Sequence, residues 1–385
     1  MHLELTDDQE FFRATTRKFL EAEVPVSTVR ALYDTADGFD RGWWARGAEL
    51  GWTSMFVPES LGGGCLSGRP VADLAIVAEE CGRLVSPGPL VPVNVVALAL
   101  ADASEQGRLF PPLEEALTGL LSGGSIASWA LAEPEGRWEL SDVAATLTVG
   151  PDELRLDGVK AYVESASVAD HFLVTARDED GHSQVLVPSG AAGVTVSSAR
   201  SIDMTRRFGT VRFDGVRLPV THLVGERGSA AGVVGRQLAV AICLQCAEMC
   251  GAADRTLEAT LDYGRERFAF GRPIVSFQAI KHRVADMTVR LEGSKAVTDA
   301  LAESIDSDSA DLELLASVAK AYVGETCLDV VDDCVQITGG IGVTWEHDIH
   351  LYSRRALVDR AVYGAPEEHK EKLLQLMVQA EEVRS

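Results

Sequence analysis

From Leu5 to about Leu121 the apolar residues recur at three- and four-residue intervals, the spacing that gathers them on one face of a helix. TDDQEFFRATTRKFLEAEV predicts a helix opened by a Thr6 cap and acidic first-turn residues, with Phe11, Phe12, Phe19 and Leu20 as its apolar face. RPVADLAIVAEECGRLV repeats the pattern, SPGP stops it, and VPESLGGGCLSG reads as a loop between helices. After LSGGS the period changes. ATLTVGPDELRLDGVKAYV, HFLVTARDEDGHSQVLVP and GVTVSSARSIDMTRRFGTVRFDGVRLP are short β-branched runs broken by Gly, Pro and Asp, with DEDGH at a hairpin tip. From about Gly228 to Val383 the helical period returns in long segments, SFQAIKHRVADMTVRLEGSKAVTDALAESI the clearest. The pattern predicts an α+β multidomain chain, with a helical domain over 1–124, a β domain over 125–227 and a second helical domain over 228–385.

Composition fits this picture: of 385 residues, 46% are hydrophobic and 24% charged, enough apolar surface for a large core. The formal net charge of −23 disfavours nucleic acid or an anionic membrane as the main partner, because long-range repulsion would have to be overcome locally. MHLELTDDQEFF lacks the basic and apolar regions of a signal peptide, and the sequence offers no apolar run near the roughly 18 residues of a membrane span. The expectation is a cytoplasmic protein. Seven cysteines in so long a chain make no disulfide framework, and Cys243, Cys246 and Cys250 fall at helical spacing in an apolar run, as packed thiols do; no metal site is expected.

The chemistry is carried by RERFAFGRPIVSFQAIKHRVADM at 265–287 and QITGGIGVTWEHD at 336–348, with SRRA at 353–356. A guanidinium at the end of a helix, as at Arg267, suits a diphosphate, and glycines permit close backbone approach. Both segments resemble the signatures of the acyl-CoA dehydrogenases, and LTDDQEFFR, LGWTSMFVPESLGG and AEECGR resemble that family's N-terminal helices. The resemblance covers nearly the whole chain. It implies the family's fold: an N-terminal helical domain, a middle β-barrel or sandwich, and a C-terminal four-helix bundle. It also implies FAD held between subunits, with a carboxylate taking the α-proton of an acyl-CoA thioester as the β-hydrogen leaves as hydride. Arg267, Phe270, Gln278, Gln336, Gly339 and Gly340 match residues that reach the neighbouring subunit's FAD.

Other positions depart from the family pattern. The base of Tyr-Glu-Gly-Thr falls on Tyr363 within Val362, Tyr363, Gly364 and Ala365, and a phenol with an ordinary pKa near ~10 is a poor base at neutral pH. The alternative Glu-Arg position on the first long C-terminal helix falls on Ala241 and Ile242. Glu248 is a weak candidate base two helical turns further on, roughly 10 Å along the axis, and Glu367 and Glu368 suit the start of a helix better than catalysis. The stretch that lines a subunit's own flavin in the family, Thr-Glu-Pro-x-x-Gly-Ser, reads Ala132, Glu133, Pro134, Glu135, Gly136, Arg137, Trp138, and Trp-x-Thr reads Tyr162, Val163, Glu164. The resemblance extends to heteromeric actinobacterial enzymes acting on steroid side chains. It implies a subunit that completes a homologous partner's FAD site in a heterotetramer acting on acyl-CoA, with an electron-transfer flavoprotein as acceptor. A homotetrameric flavoenzyme with an unorthodox base and a non-catalytic scaffolding paralogue stand as alternatives.

Overall fold

The computed structural model describes residues 5–35, 37–135 and 137–384. Six helices come first: α1 (Asp7–Glu23), α2 (Val26–Tyr33), α3 (Arg41–Glu49), α4 (Pro70–Arg83), α5 (Leu90–Glu105) and α6 (Pro111–Leu121). Thr6 caps α1 in a reciprocal box with Gln9, which satisfies two backbone N–H groups left over at the helix start. The face of α1 differs from the one expected. Gln9, Phe12, Thr16 and Leu20 are buried, whereas Phe11 is exposed. Gln9 holds a core position because its amide also donates to Asp73 at 2.8 Å, so a polar side chain is satisfied there. α5 is buried along almost its whole length and forms the centre of the N-terminal layer.

Eight strands follow: β1 (Ala127–Ala130), β2 (Thr146–Val149), β3 (Glu153–Glu164), β4 (His171–Arg177), β5 (His182–Pro188), β6 (Val194–Ala199), β7 (Phe208–Pro219) and β8 (Leu223–Val224). They form one sheet in the order β6-β7-β3-β2-β4-β5-β8, with β1 parallel beside β4. The sheet wraps its own apolar core, around Phe172, Phe213 and Val185, separate from the helical core. The β4–β5 turn at Asp178–Gly181 is the expected hairpin tip.

The remaining helices are α7 (Ala230–Glu266), α8 (Gln278–Asp306), α9 (Leu312–Thr338), α10 (Ile349–Ala361) and α11 (Pro366–Arg384), with a small hairpin, β9 (Phe268–Ala269) and β10 (Arg272–Pro273), between α7 and α8. The 37 residues of α7 run about 55 Å. Contrary to the expectation from sequence, α7 is long and apolar enough to cross a membrane, yet most of that apolar stretch is buried against α4, α8 and α9, as in a core helix. α7 and α4 touch backbone to backbone. A Cβ on Gly82 would come within 2.0 Å of the Glu248 carbonyl oxygen, and one on Gly251 within 1.9 Å of that of Glu79. Cys243, Cys246 and Cys250 are buried on α7, and no metal-binding cluster occurs among the described residues.

Candidate functional site

Two regions bear on the site: one faces outward and carries the sequence signatures, and one is buried. Because α7, α8 and α9 alternate in direction, the end of α7, the start of α8 and the end of α9 share one end of the bundle. Arg283 on α8 ties this end together, bonding Asp333 on α9 at 2.6 and 3.1 Å. Arg267 closes α7; its backbone N–H donates to Tyr263 and its carbonyl accepts from Ile274, while its guanidinium is exposed and makes no ion pair among the described residues. The β9–β10 hairpin then turns through Phe270 (φ 52°) and Gly271 (φ 79°). Two left-handed residues in succession give a tight turn matching the strand twist, but the first place normally goes to Asn, Asp or Gly. A phenylalanine here carries strain, and its side chain is 97% exposed. Phe277, edge-on to Phe270 at 6.3 Å, lies under the Arg272 guanidinium at 4.0 Å. Gln278 opens α8 and is exposed, as are Gln336, Gly339 and Gly340 at the end of α9. A Cβ on Gly340 would meet nothing within 4 Å, so the chain's own packing leaves room there for a side chain.

The buried region joins all three parts of the chain. Arg206, between β6 and β7, donates to Asp359 at 2.7 Å and to Glu248, and its Nε lies 3.3 Å from Glu164. Arg355 on α10 donates to Asp203 at 2.6 Å, to the other oxygen of Glu248 and to the Thr205 hydroxyl. Lys320 on α9 donates to the Gln245 side chain and to the backbone carbonyl of Asp359. Burial pushes the Asp359 carboxyl up to about 7, against the pull of Arg206, and lowers Lys320 to about 8. Burial likewise raises the Glu164 carboxyl, with Arg206 opposing. Glu248 therefore has both oxygens committed to guanidinium groups. This network was not foreseen from sequence; only the pair of basic residues in DMTRR and in SRRA hinted at it.

Tyr363 lies in the link from α10 to α11. It and Gly364 have φ of 63° and 97°, and the turn is pinned by His369, whose Nε2–H donates to the Tyr363 carbonyl at 2.9 Å. That bond leaves Nδ1 to accept from Ser317, the neutral ring that burial favours, and His369 is lowered to about 4. The Tyr363 ring is buried, its centroid 4.8 Å from Trp138 and 6.1 Å from Trp129. Burial, then the nearby Glu164 charge, raises its phenol well above the usual value. Glu367 and Glu368 stand at the start of α11, where Glu368 accepts the Ala365 N–H at 2.7 Å and Glu367 pairs with Arg360. Ala241 and Ile242 are buried on α7.

Models of the acyl-CoA dehydrogenase N-terminal, middle and C-terminal domains match residues 6–122, 128–216 and 231–377. The chain belongs to the acyl-CoA dehydrogenase family. It is 30% identical over 370 residues to the acyl-CoA dehydrogenase IpdE2 of Mycolicibacterium smegmatis, covering 96% of this chain and 98% of that protein. It is also 30% identical over 371 residues to the benzylmalonyl-CoA dehydrogenase of Aromatoleum aromaticum, covering 92% and 93%. Among solved structures it resembles a variant of the Tcur3481-Tcur3483 steroid ACAD, with a TM-score of 0.86, 27% identity and coverage of 98% and 99%.

Acyl-CoA dehydrogenases bind FAD. The outward end of this acyl-CoA dehydrogenase fits part of such a group: an unpaired guanidinium for a diphosphate, an exposed ring for stacking, two amides, and glycines at an open surface. The chain's own cleft fits it poorly. The stretches 132–138 and 162–164 and Tyr363 do converge, for Ala161 N–H donates to the Ala132 carbonyl at 2.9 Å and Trp138 lies against Tyr363. Gly136 falls outside the described residues. Glu133 has become a structural anchor, accepting from Lys160 at 2.8 Å and from the Ala144 and Ala145 N–H groups at 2.9 Å. Glu164 is turned into the ion cluster. What remains is a cleft of about 280 Å³ beside Arg137, Trp138, Tyr363, His369 and Lys372.

Proposed function

We propose that this chain is one subunit of a heteromeric, FAD-dependent acyl-CoA dehydrogenase, contributing to a homologous partner's cofactor site while lacking the catalytic glutamate itself. The observation that carries this reading is Tyr363. At the base position stands a buried phenol whose pKa is displaced upward, the wrong direction for taking a proton. Glu248, the candidate replacement, is held by Arg206 and Arg355.

FAD bound in the complex would accept the hydride from the β-carbon. This chain's part is to bind and orient. Arg267 would fork onto the diphosphate, Phe270 would stack against an aromatic portion, Gln278 and Gln336 would donate amide N–H, and the bare backbone at Gly339 and Gly340 would allow close approach. The partner supplies the carboxylate that removes the α-proton. The similarity to the Tcur3481-Tcur3483 steroid ACAD supports a mixed complex, in the form of a heterotetramer, and a bulky acyl-CoA such as a steroid thioester. Reoxidation falls to an electron-transfer flavoprotein.

The test is to purify the chain alone and co-expressed with a homologous acyl-CoA dehydrogenase chain from the same genome, and to measure flavin per protein. Flavin confined to the mixed complex, near one per two chains, is expected. Arg267→Ala in that complex should weaken FAD by about 1.5–3 kcal/mol, the worth of a charge-assisted contact. Unchanged affinity would refute the contribution of this end of the bundle.

A further inference from the structure

We propose that Trp138 and Tyr363 form an aromatic plug that shuts this chain's own flavin cleft and so sets one flavin per pair of chains. The inference rests on the division of labour above and adds its physical cause. Three aromatic rings pack together here in tilted and edge-on contacts: Trp129 from β1 and Trp138 from the loop before β2, met by Tyr363 from the distant turn before α11. All three are buried. The open volume left beside them, about 280 Å³, is at the floor of the roughly 300–1,000 Å³ that ligand pockets span.

The plug is held from both sides. Trp138 lies in the loop closed by Glu133, which gathers the Lys160 ammonium and the N–H groups of Ala144 and Ala145. Tyr363 is held by its left-handed backbone and by the His369 bond to its carbonyl. Trp129 keeps its Nε1–H buried without a hydrogen-bond partner, so the ring is present for its bulk. A left-handed conformation is unfavourable for an aromatic residue and natural for glycine. Tyr363→Gly therefore removes the ring without asking the backbone to move.

Because the chain also carries Arg267, Phe270 and Gln278 facing outward, two copies of an unplugged variant hold both halves of a site. The experiment uses the full chain without a partner. Wild type, Trp138→Ser, Tyr363→Gly and the double variant are each incubated with FAD and desalted, and the retained flavin absorbance is read against protein mass. Near-ultraviolet circular dichroism reports folding, and acrylamide quenching of tryptophan emission reports whether the cleft has opened. The single Trp138→Ser variant covers the case in which the double variant fails to fold. The expected result is a flavin-free wild type and a variant that binds FAD at least ~10-fold more tightly, equivalent to about 1.4 kcal/mol. A folded variant with an opened cleft and no gain in flavin overturns the plug, while the partner's cofactor reading remains to be decided by Arg267→Ala. A wild-type chain holding one flavin per chain by itself overturns the plug and the division of labour together.

Discussion

Glu248→Gln separates a structural carboxylate from a catalytic one. Each oxygen of Glu248 accepts from a different guanidinium, Arg206 on one side and Arg355 on the other, and all three side chains are buried. Glutamine keeps the shape but offers one carbonyl and one NH2, so one arginine gains a donor facing its own donors. Breaking a buried ion pair by removing one partner costs about 3–5 kcal/mol, because the remaining charge stays desolvated. Part of that is offset. The cluster holds four carboxylates, Glu164, Asp203, Glu248 and Asp359, around two arginines, and Glu248 is one of the charges that hold Asp359 near 7. Without it Asp359 ionises more readily and supplies some of the missing charge, which places the expected loss near the lower end, about 3 kcal/mol. A carboxyl raised in the folded state makes stability fall as pH climbs from its unfolded value near ~4 towards 7. The variant loses some of that slope, so its deficit relative to wild type should be larger at pH 5 than above pH 7. The assay is a urea titration at both pH values, followed by tryptophan emission and far-ultraviolet circular dichroism in parallel. A variant with a wild-type midpoint and no turnover in the complex would make Glu248 a base and defeat the reasoning.

Three further outcomes follow from the same geometry. His369 is lowered to about 4 from an ordinary ~6.5, so the unfolded chain binds more protons between these values; the stability it contributes is full above pH 6.5 and is lost as pH falls towards 4, up to about 3 kcal/mol, and acid titration of His369→Gln should show a flatter limb. Gly82→Ala would drive a methyl group into the Glu248 carbonyl and part α4 from α7, with a loss of at least about 1–3 kcal/mol in a denaturant melt; an unchanged midpoint would mean the two helices slide freely. Tyr363→Phe keeps the plugging ring and removes only the hydroxyl, so turnover of the complex should stand, and a collapse in rate would identify the phenol as a participant.

The order of helices, strands and helices is legible because each layer has its own pattern: three- and four-residue spacing to Leu121, short β-branched runs between Gly, Pro and Asp turns through β3 to β7, and helical spacing again in α7 to α9. The face of α1 is not legible at Phe11 because hydrophobicity alone does not register that Gln9 can be buried once Thr6 and Asp73 satisfy its amide. The length of the apolar stretch in α7 was underestimated, since cysteines, glycines and alanines interrupt it visually without breaking the helix. Arg267, Phe270 and Gln278 could be found because they are close in sequence and make a local turn. The cluster of Glu164, Asp203, Arg206, Glu248, Arg355 and Asp359 could not. Its members are spread over nearly two hundred positions, and a buried arginine looks like an exposed one until its partners are in view. The contact between Trp138 and Tyr363 is hidden for the same reason, although each departs from the family pattern.

Of the three aromatic residues with left-handed backbones among the described residues, Tyr162, Phe270 and Tyr363, the last two make opposite arguments. At Tyr363 the strain has a return inside the chain, because the ring packs between Trp129 and Trp138 and its carbonyl holds His369. Phe270 has almost none: it is 97% exposed and meets Phe277 edge-on at 6.3 Å. Strained conformations persist where surrounding structure fixes them, and here the fixing comes from the short β9–β10 ladder while the ring itself faces outward. Substituting Asn at 270 would suit the turn better, so a phenylalanine there is costly for this chain in isolation. The cost is recovered only if the ring is covered by something beyond the chain. On the proposed division of labour that cover is the partner subunit, which makes Phe270→Asn a variant expected to be slightly more stable alone and weaker in holding flavin with its partner.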